Sequence, residues 1–141
     1  MFALPGIRLG YALSANKAFI EKLYFHGADW PVSNLAQAAG IAALEGAESF
    51  VRQTVDFVST ERRGMKKELA KLGYTVFESK ANYVFLQSLF PFDLREELDK
   101  RGIRIRSCYN YSGLDRSYYR IAVSTKKNNA KILNTITGLN Q

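Results

Sequence analysis

The 141-residue sequence holds one cysteine, one histidine and three prolines, and no acidic residue precedes Glu21. A lone cysteine, Cys108, closes no internal disulfide, so a disulfide-stapled secreted scaffold is excluded and a reducing cytoplasm is expected. His26 has no cysteine or carboxylate cluster at metal-ligand spacing, which leaves it as a loop residue rather than a zinc ligand. Cys108 has no histidine partner either and reads as a semi-buried small side chain, not a nucleophile. No uninterrupted apolar run approaches the roughly 20 residues a membrane span needs. The apolar N-terminus lacks a basic leader region and is interrupted by Arg8, so a cleaved secretory signal is not expected. G-x-S-x-G, G-x-G-x-x-G and Walker-type loops are all missing, which removes serine-esterase and phosphate-loop chemistry.

What is present is a basic, core-forming chain: 20 Lys+Arg against 13 Asp+Glu, net +7, with 47% hydrophobic residues. That is long enough and apolar enough for one globular body. The positive charge admits a nucleic-acid-binding module, a receptor for small anions, or part of a protein whose acidic portion lies elsewhere. The basic residues come in ones and twos, as Arg62-Arg63, Lys66-Lys67 and Lys126-Lys127, with no arginine-rich run.

The order of elements follows from periodicity and punctuation. Residues 2–13, broken by Pro5-Gly6 and Gly10, suit buried extended structure with tight turns better than helix. Helix formers occupy residues 15–24, a breaker follows at 26–31, and Ser33 or Asn34 can cap a small-residue helix over 35–44. Gly46 ends or bends that helix. An amphipathic helix over 47–72 places Phe50, Val51, Val55, Val58, Met65, Leu69 and Leu72 on its apolar side, and Gly73 stops it. Strands are expected over 74–77, 82–86, 103–106 and 118–123, with short helices over 93–101 and 127–139. The sum is an α+β body, a small, mostly antiparallel sheet covered by helices, with an N-terminal arm.

Three arginines stand out. Alternation on the last two strands puts Ile103 and Ile105 on one face and Arg104 and Arg106 on the other, while Arg120 opposes the face of Tyr119, Ile121 and Val123. If the apolar faces pack together, Arg106 and Arg120 point to the same side, two planar forks suited to a ligand with two anionic groups. The plainer alternative is a pair of solvated arginines on the outer face of a sheet. Arg8 sits in an apolar, glycine-flanked setting with no acid nearby in sequence. Either it is buried against a phosphate or carboxylate from elsewhere, or the arm is simply exposed.

Particular segments resemble a known family. Residues 2–11, FALPGIRLGY, resemble the stretch that follows the cofactor-bearing lysine in histidinol-phosphate aminotransferases and threonine-phosphate decarboxylases. In that family the lysine lies two positions ahead of the residue matching Phe2. Residues 30–37 resemble the segment leading into the helix that joins the two domains of those enzymes, with Ser33 where asparagine is commoner. Residues 79–83, SKANY, resemble their S-x-A-N-F strand entry. The most specific match is residues 105–114 followed by 119–123, similar to I-R-D-C-x-N-[FY]-x-G-L and [YF]-R-[IV]-A-V, with Ser107 in place of the usual Asp. The spacing of fourteen residues from Arg106 to Arg120 fits the decarboxylases better than the aminotransferases, whose segment is usually one residue shorter.

The resemblance implies the C-terminal portion of a pyridoxal-phosphate enzyme of the aspartate-aminotransferase fold. Residues 1–46 would be the tail of the large cofactor-binding domain with its linking helix, and residues 47–141 the C-terminal small domain. It implies that Arg8 binds the phosphate of pyridoxal 5′-phosphate, that Arg120 grips the substrate carboxylate, and that Arg106 helps hold the substrate's anionic groups. The Schiff-base lysine is expected just before Met1. Lys17, in a helix-like segment, does not replace it, so the 141-residue chain alone is expected to be inactive. The implied substrate is a phosphorylated amino acid, L-threonine O-phosphate, decarboxylated for cobalamin assembly; histidinol-phosphate transamination is the alternative. A cytoplasmic homodimer that binds neither nucleic acid nor membrane completes the expectation.

Overall fold

The computed structural model describes residues 4–140, which form two compact units divided between Gln53 and Thr54. The first unit contains a 3-10 turn at Pro5–Ile7, helix α1 (Lys17–His26), helix α2 (Asn34–Leu44) and the opening turns of α3 (Ala47–Lys71). Two side-chain caps set the helix starts. The Asn16 carboxamide oxygen accepts from the Phe19 amide at 3.1 Å, and the Ser33 hydroxyl accepts from the Ala36 amide at 3.2 Å, each meeting a donor the first turn leaves free. His26 closes α1 rather than lying in a loop, because the chain turns only at Gly27, whose amide returns to the Tyr24 carbonyl.

The arm departs from expectation. Phe2 and Ala3 lie outside the described residues. Past the 3-10 turn the backbone is irregular, and Leu13 is 89% exposed. Burial of the arm is not achieved within this unit, where Ala36 is the one buried residue among those described, so its helices provide no apolar interior to receive it. One close approach does occur. A Cβ on Gly40 would collide with the Leu9 side chain, so the small-residue character of α2 admits the arm at that point.

The second unit is a two-layer α+β body. Strands β1 (Thr75–Phe77), β2 (Tyr83–Gln87), β3 (Arg106–Ser107) and β4 (Tyr118–Ala122) form one antiparallel sheet in the order β1-β2-β4-β3. Val84, Leu86, Tyr119 and Ile121 line one face and are buried with Met65 and Leu69 of α3, Leu94 and Leu98 of α4 (Leu94–Asp99), and Ile136 of α5 (Lys126–Leu139). At roughly 1.5–3 kcal/mol per fully buried large aliphatic side chain, this cluster is the main source of the unit's stability. The opposite face carries the alternate residues. Phe77, Phe85 and Tyr118 form a ladder there, with neighbouring ring centroids 5.0 and 5.8 Å apart, and Tyr83, Arg120 and Ala122 continue the same side.

Two helices end alike. At the end of α3 the Tyr74 amide bonds the Leu69 carbonyl and the Gly73 amide bonds Ala70; at the end of α4 the Ile103 amide bonds Leu98 and Gly102 bonds Asp99. Gly73 and Gly102 take φ of 91° and 71°, the left-handed backbone that this paired closure requires. The second closure explains a correction. The expected strand over 103–106 begins only at Arg106, because the Ile103 amide is committed to capping α4 and is lost to the sheet ladder. The alternation survives: Ile103 is buried and Ile105 half-buried, whereas Arg104 and Arg106 are exposed.

Candidate functional site

The antiparallel register of β3 and β4 sets Arg106 directly opposite Arg120. Both therefore project from the face that the helices leave open. The two arginines line a cleft of about 460 Å³ together with Arg104, Asn82, Tyr83 and Tyr111. Ile105 and Ala122 complete its wall, and among the described residues no carboxylate lines it. Three guanidinium groups gathered in one recess have the chemistry to receive an anion.

The three arginines are held very differently. The Arg120 guanidinium carbon lies 3.8 Å from the centroid of the Tyr83 ring, a cation–π contact. Its Nη1 donates to the Tyr111 hydroxyl at 3.2 Å, and its Nε is buried without a partner among the described residues. Arg106 is exposed, and its Nη2 donates to the Asn110 side-chain oxygen at a long 3.4 Å. Arg104 is almost fully solvated and, among the described residues, reaches Asp99 alone, 3.6 Å away, an exposed pair of little energetic weight.

The loop between β3 and β4 supplies Tyr111 to the cleft. Its start is pinned where the Cys108 amide donates to the Tyr118 carbonyl at 2.8 Å. Its end is pinned where Asp115 accepts from the amide and hydroxyl of Ser117. Between them the Tyr111 amide returns to Cys108 and Gly113 adopts φ 81°, which brings the Tyr111 hydroxyl back over β4. Cys108 is fully rather than partly buried. Burial pushes its thiol pKa up, against the opposing pull of Arg120 and Arg106, so it stays a protonated, packed side chain at neutral pH.

Arg8 belongs to the first unit and Arg106 and Arg120 to the second. Arg8 is exposed in this unit. It is the non-glycine residue among those described with a left-handed backbone, φ 56°, an uncommon conformation outside glycine that turns the chain sharply at that point. The residues that sequence reasoning did not assign are Tyr83, Tyr111 and Arg104. Both tyrosines fall inside motifs that were legible, SKANY and the run 105–114, but a stacking or hydrogen-bonding role is invisible until the strands are registered.

A family model described as aminotransferase class I and II matches residues 1–136. Over 98% of its length the chain is 33% identical to threonine-phosphate decarboxylase of Salmonella typhimurium, of which it covers 39%. It is 31% identical over 94% of its length to histidinol-phosphate aminotransferase of Methanosphaera stadtmanae, of which it covers 37%. Among solved structures, the histidinol-phosphate aminotransferase from Clostridium acetobutylicum matches with a TM-score of 0.90 at 33% identity, covering 99% of this chain and 42% of that one. The chain spans about two fifths of the length of these relatives.

Proposed function

Because this chain belongs to the aminotransferase class I and II family, we propose that it is the substrate-gripping portion of a pyridoxal-phosphate enzyme acting on a phosphorylated amino acid. The observation that carries this reading is the pairing of Arg106 with Arg120 on one open sheet face, in a cleft that no carboxylate lines among the described residues. A substrate with a carboxylate at one end and a phosphate at the other matches two guanidinium groups at adjacent positions.

The cofactor of this reading is pyridoxal 5′-phosphate, which when bound withdraws electrons from the substrate's Cα. Arg8 would hold its phosphate. The fit is chemical: Arg8 is an exposed guanidinium with no hydrogen bond or ion pair to another described residue, so its donors are open to a phosphate. Arg120 fixes the carboxylate, and the carboxylate's orientation decides which bond at Cα is aligned for cleavage. Arg106, on the neighbouring strand, takes the second anion. In support of residues 1–46 continuing a larger cofactor domain, and 47–141 forming the small one, the first unit leaves Leu13, Phe25, Trp30 and Leu35 exposed, apolar surface of the kind that marks an interaction face. The same reading takes the assembled protein as a cytoplasmic homodimer. Among the described residues no helix is long and apolar enough to cross a membrane.

The preferred reaction is decarboxylation of L-threonine O-phosphate, supported by the fourteen-residue Arg106–Arg120 spacing and by the Salmonella relative. Transamination of histidinol phosphate is the second reading, favoured by the TM-score of 0.90 to the Clostridium structure. The full-length protein supplied with L-threonine O-phosphate and pyridoxal 5′-phosphate is expected to release CO2. Amino transfer to 2-oxoglutarate without CO2 release would overturn decarboxylation. Tight, salt-sensitive binding of nucleic acid by the chain, with no response to either phosphorylated compound, would favour a basic binding module instead.

A further inference from the structure

We infer that Tyr83 and Tyr111 are positioning residues that hold Arg120 as the receptor for the carboxylate end of the ligand, leaving Arg106 and Arg104 as the adaptable receptor for the phosphate end. The inference rests on the functional reading above, which allots the two ends of the substrate, and adds the two residues that order one of them.

An arginine side chain has several rotatable bonds, and a free guanidinium must be ordered before it grips a planar group. Arg120 is already ordered by two segments that act on different degrees of freedom. The Tyr83 ring, from the start of β2, lies 3.8 Å from the guanidinium carbon and covers one side of the group. The Tyr111 hydroxyl, from the loop between β3 and β4, takes Nη1 at 3.2 Å and restricts rotation of the group. A carboxylate is planar and rewards a fixed fork with two parallel hydrogen bonds. A phosphate monoester is tetrahedral, doubly charged and tolerant of approach direction, so loosely held donors serve it. Arg106, with one long bond to Asn110, and Arg104, with a distant Asp99, are of that loose kind. The difference in tethering divides the cleft into a rigid end and a compliant end.

Side-chain NMR of the isotopically labelled full chain reads the clamp directly. The Arg120 Nε–H signal is expected to be shifted upfield by the Tyr83 ring and slow to exchange, whereas that of Arg104 exchanges freely. Tyr83→Phe keeps the ring and is expected to keep the shift; Tyr83→Leu is expected to lose it. Two ligands then separate the ends: L-threonine O-phosphate, and O-phosphoethanolamine, which has the phosphate and amine but no carboxylate. The chain is expected to prefer the first by about tenfold, the gain of a charge-assisted bidentate contact. Tyr111→Phe and Tyr83→Leu are expected to erase most of that preference, weakening L-threonine O-phosphate far more than O-phosphoethanolamine, while Arg106→Gln weakens both ligands.

An Arg120 signal as mobile as that of Arg104 overturns the clamp. Equal weakening of both ligands by the tyrosine variants, with folding checked from the amide spectrum, overturns the positioning role and makes the tyrosines merely structural. An intact Arg120 signature with no carboxylate-dependent binding overturns the functional reading and, with it, the ligand assigned to the rigid end.

Discussion

Arg106 and Arg120 are register partners across β3 and β4, so two like charges stand directly opposite one another on an exposed sheet face. Like charges so placed oppose pairing by about 0.2–1 kcal/mol. Without anions, Arg106→Gln is therefore expected to melt at the same temperature as the wild type or higher. Inorganic phosphate, compared with chloride at matched ionic strength, is expected to raise the melting temperature of the wild type more than that of the variant. Calorimetry in the two salts checks both statements, and an equal rise in the two proteins would detach this pair from anion binding.

Asn129 is buried and completes a polar bridge between the start of α5 and α3. Its Nδ2 donates to Glu61 at 2.8 Å and to the Ser124 carbonyl at 3.0 Å, and its Oδ1 accepts from the Ser124 amide at 2.9 Å. Asn129→Ala leaves those groups short of partners in a partly closed site, so a loss of about 1–3 kcal/mol is expected. Urea unfolding measures it, and a change under about 0.5 kcal/mol would mean that water replaces the bridge without penalty.

Two glycines of the second unit are expected to respond oppositely to alanine. Gly73 holds φ 91°, and an added Cβ would lie 3.4 Å from the Phe90 ring, so Gly73→Ala is expected to cost about 1–2 kcal/mol from the left-handed backbone alone. Gly64 lies inside α3, where an added Cβ meets nothing within 4 Å, and Gly64→Ala is expected to stabilise by about 0.5–1 kcal/mol. Thermal melts of the two variants in parallel test the pair.

Alkaline stability should depend on Tyr119. Burial, with Asp93 beside it, pushes the phenol from 10.0 up to about 12. Folding thus favours the protonated form. That contribution is complete below pH 10 and is lost as pH rises from 10 towards 12, where the unfolded chain has released the proton and the folded chain has not. Tyr119→Phe removes the 3.2 Å hydrogen bond to Asp93 but is expected to flatten the stability profile over that window. Denaturation midpoints across pH 9–12 compare the two slopes.

Much of the second unit was legible because its signals are local. The glycines at 73 and 102 and the alternation around residues 118–123 each act within a few residues, and the helices and strands appear within one to three positions of expectation. The strand over 103–106 was the exception. Nothing in Ile103-Arg104-Ile105 announces that the Ile103 amide is already bound to Leu98. The arm was misjudged for a different reason: apolar composition says that a segment seeks burial, not that the residues to bury it are at hand.

The sequence by itself determined the family, through residues 2–11 and 105–123, and the faces on which Arg106 and Arg120 lie, because strand alternation is a property of the backbone. Only the tertiary structure decided that these two arginines are direct partners and that Tyr83 and Tyr111 close on Arg120. Tyr83 and Arg120 lie on strands distant in sequence, and Tyr111 meets Arg120 across the loop that leads into β4. Their geometry follows from antiparallel register and loop closure, and no local pattern records either one.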